Sequence, residues 1–175
     1  MKPADEQLLL QTNRFRVVQI SEPRRDVADG VRQVIRHPGA VTILPDLGNE
    51  HICLIRNRRM SVDRELIELP AGTLEPGEDP VDCANRELEE ETGYRAQHVR
   101  LLHKFYLSPG ILDERMHLFL ASGLDAGNPS REPGEQIENV VVTQQEAIEM
   151  IRQGQIEDAK TIVGLLYWDR FGKDL

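Results

Sequence analysis

An α/β domain with mixed strands and few helices is the fold class this sequence predicts, on three observations. Short apolar runs, several alternating with period two, recur along the chain between turns rich in Gly, Pro and Asn. One helix with strong start and stop signals stands at residues 79–93, and two further helical stretches close the chain. The 175 residues suffice for one fully cored domain, and no internal repeat, low-complexity tract or linker divides them.

In order, residues 15–20 and 31–36 read as strands, and Pro38-Gly39 marks a turn before the apolar run 40–44. The next strand, 52–55, pairs with it through a turn at 46–49. Strand 65–69 leads through Pro70-Ala71-Gly72 into a long loop and then the first helix. Strands at 99–106 and 116–121 follow, separated by the loop 107–115, and a further strand covers 137–142. Thr143-Gln-Gln-Glu146 is a capping box that opens a helix ending near Gly154. A last helix over 159–171 offers Ile162, Leu165, Leu166 and Trp168 for burial.

The first helix carries the most chemistry. Asp79 suits the N-cap, Pro80 sits where its missing N–H costs nothing, Asp82 favours the positive end of the helix dipole, and Gly93 supplies the stop. Val81, Ala84, Leu88 and Thr92 form one stripe for burial, while Glu87, Glu90 and Glu91 cluster elsewhere on the surface. Like charges three or four residues apart on a helix destabilise it by roughly 0.2–0.5 kcal/mol per pair, so the cluster calls for a nearby positive partner. Arg86, four residues before Glu90, is one. A divalent cation is the other, since Mg²⁺ takes oxygen ligands and bridges to substrate phosphates.

Composition narrows the function. A formal net charge of −9 and a pI near 5.1 argue against non-specific nucleic-acid binding, which rests on basic patches. An acidic protein still binds a small polyanion where metals and local arginines invert the field. No apolar run approaches the roughly 18 residues of a membrane span, and the first residues lack the basic start of a signal peptide. Cys53 and Cys83, the only cysteines, read as small apolar fillers, and a reducing cytoplasm is the expected compartment. The five histidines show no metal-ligand spacing.

From Gly72 the chain reads Gly, five residues, Glu78, seven residues, Arg86-Glu87-Leu88, one residue, Glu90-Glu91, one residue, Gly93-Tyr94. Seven identities fixed at these spacings arise by chance at on the order of one in 10⁸ starting positions. The pattern resembles the Nudix box of the Nudix hydrolase family, with Tyr94 an unusual residue at its last hydrophobic position. The resemblance implies an α/β/α sandwich around a mixed β-sheet, and Mg²⁺-dependent hydrolysis of a nucleoside diphosphate linked to another group, with Mn²⁺ as a substitute ion. It implies that Glu87 and Glu91 are metal ligands, that Glu90 is a ligand or orients the attacking water, that the Ala71 carbonyl is a further ligand, and that Glu78 and Arg86 are supports. A phosphoanhydride repels nucleophiles with its own charge, and metal ions offset that charge.

Pro109 lies fifteen residues beyond Tyr94, in Leu107-Ser108-Pro109-Gly110, followed by Asp113-Glu114. This is similar to the marker of the ADP-ribose pyrophosphatase branch, as is the approach from Arg56 to Gly72. The branch implies release of AMP and ribose 5-phosphate, a homodimer, and a division into N-terminal strands at 1–38 that join the dimer interface and a Nudix domain at 39–175. It places the catalytic base in the acidic loop 131–138, where Glu135 fits best because it sits two residues before the strand's first apolar residue; Glu132 is second, and Pro133-Gly134 stands where relatives more often carry another acid. Arg59 is the best candidate for a diphosphate contact, its guanidinium fork matching phosphate oxygens, and Glu114 is a candidate for the terminal ribose pocket. Relatives stack adenine on N-terminal aromatic residues, whereas Phe15 and Tyr94 are the only aromatic residues among the first hundred here. Another nucleoside diphosphate sugar, such as ADP-glucose or GDP-mannose, is therefore the alternative substrate. A domain that only binds a nucleotide is the remaining reading, and the intact Glu87, Glu90 and Glu91 argue against it.

Overall fold

The computed structural model describes residues 6–21, 30–131, 134 and 136–172. Among them are ten strands and three helices: β1 (Glu6–Gln11), β2 (Arg16–Ser21), β3 (Val31–Arg36), β4 (Ala40–Gly48), β5 (His51–Arg59), β6 (Arg64–Glu68), β7 (Ala71–Thr73), α1 (Pro80–Thr92), β8 (Tyr94–Tyr106), β9 (Arg115–Ala126), β10 (Ile137–Thr143), α2 (Gln144–Arg152) and α3 (Ala159–Phe171). β1, β2 and β3 form a small antiparallel sheet of their own. The other seven form a mixed sheet whose main path is β10-β5-β4-β9-β8, with β6 paired to β5 and β7 to β4. Among the described residues of this sheet, only the β4–β9 pairing is parallel, from Ala40 opposite Met116 to Pro45 opposite Ala121.

Alternation along the central strands sends side chains to two opposite layers. Val41, Ile43, Phe119 and Ala121 pack with Cys83, Ala84 and Leu88 of α1. Leu44, Ile52, Leu54, Leu118 and Leu120 pack with Ala147 of α2 and Leu165 of α3. This is an α/β/α sandwich, the architecture expected from the sequence. Both cysteines are fully buried, and burial pushes each thiol up to about 12, as inert fillers require.

Several elements differ from their predicted extents. β4 runs through Gly48, so its turn into β5 falls on Asn49 and Glu50, with φ of 50° and 64°, rather than on 46–49. β8 begins directly at Tyr94 and β9 extends to Ala126, because the two pair over their whole length. The exposed strand β1 and the short β7 carry no strong apolar alternation, and both are additions to the predicted set. Leu166, expected to be buried, is 46% exposed, since Ile162, Leu165 and Trp168 occupy the inner face of α3.

α1 obeys its local signals. The Asp79 side chain accepts the Val81 N–H, Pro80 occupies the first turn, and Gly93 ends the helix at φ 80°. An N-cap of this kind is worth about 1 kcal/mol. A Cβ on Gly93 would lie 2.8 Å from the Gly127 carbonyl oxygen, so close packing of the β9–β10 connection also demands glycine. That connection is tied to the end of α1: the Ser130 N–H donates to the Glu90 carbonyl at 3.0 Å, and Arg131 Nε to the Glu91 carbonyl at 3.1 Å.

Candidate functional site

The glutamates of α1 sort into different environments. Glu89 faces outward and pairs with Arg95. Glu91 is 4% exposed and turns back toward β7, its Oε2 accepting the Ala71 N–H at 3.0 Å. Glu87 lies so close to β7 that a Cβ on Gly72 would fall 1.8 Å from its carboxylate carbon. Only glycine leaves room for that carboxylate beside the strand.

Arg86 supplies the positive partner that the crowding requires. Its Nε and Nη2 donate to the two oxygens of Glu78 at 2.9 and 3.1 Å, and its Nη1 donates to Glu87 at 2.7 Å and Glu90 at 3.1 Å. The Glu78 carboxyl is lowered to about 2, chiefly by the Arg86 hydrogen bond. Glu78 in turn accepts the Glu75 N–H at 2.9 Å, so the loop before α1 is fastened to the helix.

A cavity of about 240 Å³ opens over these groups, lined by Ala71, Gly72, Arg86, Glu87, Glu90 and Glu91 together with Asn57, Arg59 and Arg14. Arg59 is clamped along one edge, its Nε and Nη2 donating to the two oxygens of Glu68 at 2.8 and 2.6 Å. Glu68 is 1% exposed and also accepts from Lys160, which pairs with Asp158 at 3.0 Å. Asp158 caps α3, and the Thr161 hydroxyl accepts the Leu69 N–H at 2.8 Å, so the first turn of α3 fixes the strand that carries Glu68.

The donors around this cavity suit a hard divalent cation, since carboxylate oxygens favour Mg²⁺ and Mn²⁺. Among the described residues no three carboxylate, imidazole or thiolate groups are close enough to enclose a single ion. Arg86 engages Glu87 and Glu90 instead. Magnesium retains several waters and bridges to substrate phosphates, so one or two carboxylates per ion suffice. The donor set and the cradle at Gly72 fit such an ion.

The expected substrate residues do not all meet here. Arg59 lines the cavity, but neither Pro109 nor Glu114 does. Their loop is fastened to β3: the Ile35 N–H donates to the Ile111 carbonyl at 2.8 Å, Arg36 and the His37 N–H both donate to Asp113, and His37 lies 3.5 Å from Glu114. A second cavity of about 400 Å³, lined by Phe15, Arg16, His37 and Asp113, shares Arg14 with the first. Glu132 and Glu135 lie outside the described residues.

Sequence reasoning missed Arg14 and Asn57. The signal for Arg14 is local, because the Thr12 hydroxyl accepts the N–H groups of Arg14 and Phe15 and so shapes the turn. Asn57 is hidden among the arginines of β5 and stands out only once its burial is known.

The NUDIX domain profile matches residues 36–163. The chain belongs to the Nudix hydrolase family. This Nudix chain is 39% identical to the ADP-ribose pyrophosphatase of Bacillus subtilis (strain 168) over 138 residues, covering 78% of this chain and 75% of that protein. It is 36% identical to the GDP-mannose pyrophosphatase of Cronobacter sakazakii (strain ATCC BAA-894) over 148 residues, covering 75% and 77% respectively. A crystal structure of an ADP compounds hydrolase has the same fold, with a TM-score of 0.82 over 97% of this chain and 92% of that one at 21% identity. Nudix hydrolases use divalent metal ions. No helix among the described residues is long and apolar enough to cross a membrane.

Proposed function

We propose that this chain hydrolyses the diphosphate of ADP-ribose to AMP and ribose 5-phosphate with Mg²⁺, for which Mn²⁺ substitutes. The observation that carries this reading is the one cavity that Glu87, Glu90 and Glu91 line together with Arg59. When bound, the cation offsets the charge of the diphosphate and acidifies the attacking water. Glu87, Glu91 and Ala71 would hold it, with Glu90 as a further ligand or as the residue that orients the water. Arg59 binds a phosphate through the edge that Glu68 leaves free. In the reaction a water oxygen bonds to one phosphorus, the bridging P–O bond on that phosphorus breaks, and the water's proton passes to a base, Glu135 in preference to Glu132. Pro109 and Glu114 act on the substrate through their loop, which seats β3 and thereby the turn carrying Arg14 and Phe15.

The relative that acts on GDP-mannose, and the single aromatic residue on the second cavity wall, favour a second reading in which another nucleoside diphosphate sugar is the substrate. A panel of ADP-ribose, ADP-glucose and GDP-mannose with Mg²⁺ and product identification decides between them. ADP-ribose is expected to turn over fastest; faster turnover of GDP-mannose reverses the order, and no turnover of any of the three removes both readings.

Gly72→Ala tests the cradle. The new Cβ displaces only the flexible end of Glu87, so the protein is expected to fold and melt within a few degrees of the parent. Mg²⁺-dependent turnover is expected to fall about a hundredfold, as when a group aimed at developing charge is lost.

The strands of residues 1–38 are proposed as a homodimer interface, because Leu8, Leu9 and Leu10 of β1 are 55%, 48% and 51% exposed along the edge of the small sheet. Sedimentation velocity is expected to give the mass of a dimer.

A further inference from the structure

Cys53 and Ile55 are fully buried, and the same face of β5 then changes character, presenting Asn57 and Arg59 to the cavity wall. The Asn57 backbone is fixed from both sides, opposite Ile137 of β10 and Leu66 of β6. The residue is only 7% exposed, yet none of the hydrogen bonds among the described residues uses its amide. No fully enclosed side-chain nitrogen or oxygen among those residues lacks a partner, so the amide keeps its slight solvent contact where Asn57 lines the cavity. Burying an amide without a partner is unfavourable, and native interiors avoid it unless something else engages the group.

We propose that Asn57 is a substrate-binding residue whose amide, beside Arg59, grips the diphosphate in the cavity that both residues share with the glutamates of α1. The inference rests on the proposed diphosphate substrate and adds a second donor to it. Glu68 takes the Nε–Nη2 edge of Arg59, which leaves the remaining edge for a ligand. Successive same-face positions on a strand lie about 7 Å apart, so the two side chains offer separate contacts to a ligand with two adjacent phosphoryl groups. An amide donates to an anion without adding charge. A further cation in this position, beside Arg14, Arg59 and Arg86, would compete with the bound metal for Glu87, Glu90 and Glu91, whereas Asn57 adds no such competitor.

The test is calorimetric titration of ADP with Mg²⁺ into the parent, Asn57→Leu and Asn57→Gln, alongside thermal melts. Leucine keeps the branching at Cγ and removes the hydrogen bonding, and Asn57→Gln and the melts control for its larger methyl groups. ADP affinity is expected to fall about tenfold or more in Asn57→Leu, the loss of a hydrogen bond to a charged group. Its melting midpoint is expected to hold or rise, because the amide makes no bond within the protein, and Asn57→Gln should retain most of the affinity. Where Asn57→Leu does not fold, Asn57→Ala takes its place. Unchanged ADP affinity in the apolar variant, or a parent that does not bind ADP, would overturn the assignment. ADP-ribose turnover by the parent is measured separately: its absence beside an Asn57-dependent ADP affinity sinks the ADP-ribose reading and leaves the diphosphate contact standing.

Discussion

Glu91→Gln is expected to cut Mg²⁺-dependent release of AMP from ADP-ribose by about 10³-fold while leaving the melting midpoint unchanged or slightly raised. Glu91 is nearly enclosed and its Oε2 accepts the Ala71 N–H. Glutamine has the same shape and an oxygen that can accept the same bond, so the β7–α1 packing survives. What disappears is one negative charge at the cavity wall, where a cation would be held and where phosphate charge develops. Removing one preorganised electrostatic contact from a transition state of this kind costs about two to four decades in rate. Glu89→Gln is the control, since Glu89 faces outward to Arg95 and its loss should leave turnover within about twofold. Initial rates across a Mg²⁺ titration check both; turnover in Glu91→Gln within fivefold of the parent at saturating Mg²⁺ would remove Glu91 from the site.

The difference between Glu89 and Glu91 marks how far the sequence could be read. Periodicity placed Glu87, Glu90 and Glu91 on one part of α1, and the local signals at Asp79, Pro80 and Gly93 set its ends, because capping and turn chemistry act within four residues. Arg86 was legible as a partner for Glu90 for the same reason. Its simultaneous hold on Glu78, eight residues earlier, depends on how the loop folds back, although both residues belong to the recognised pattern. Contacts across the sheet are a different matter. The Glu68–Lys160 pair spans 92 residues, and neither residue carries a local mark that distinguishes it from a solvated charge. Asn57 was invisible for the converse reason: a short polar side chain in an arginine-rich strand end reads as surface until its neighbours bury it. The Pro109 loop was found by its position after the box, but its attachment to β3 rather than to the cavity is a tertiary fact.

Glu68→Leu is expected to destabilise the protein by about 3–5 kcal/mol, the usual result of removing one member of a buried ion cluster. For a chain of this length that lowers the melting midpoint by roughly 6–20 °C. Burial pushes the Glu68 carboxyl up, but Arg59 and Lys160 together outweigh it and hold the group below its ordinary value of 4.5. A carboxyl lowered in the folded state contributes stability that is fully present above its unfolded value and is lost as pH falls through the folded one. The parent should therefore lose this contribution only below about pH 4.5, whereas Glu68→Leu lacks it at every pH, and the gap between their melting midpoints should close as the solution is acidified. A second change separates stability from binding. Lys160→Met in the Glu68→Leu background removes the buried cation left with Asp158 as its remaining partner, and an apolar pair of similar volume should recover most of the lost stability. Asp158 keeps its bonds to Thr161, so the α3 cap is retained. The recovered protein still lacks the oxygens that clamp Arg59, so its KM for ADP-ribose is expected to stay about tenfold or more above the parent, as for a lost charge-assisted contact. If KM returns together with the melting midpoint, Glu68 serves only the core, and the orientation of Arg59 owes nothing to it.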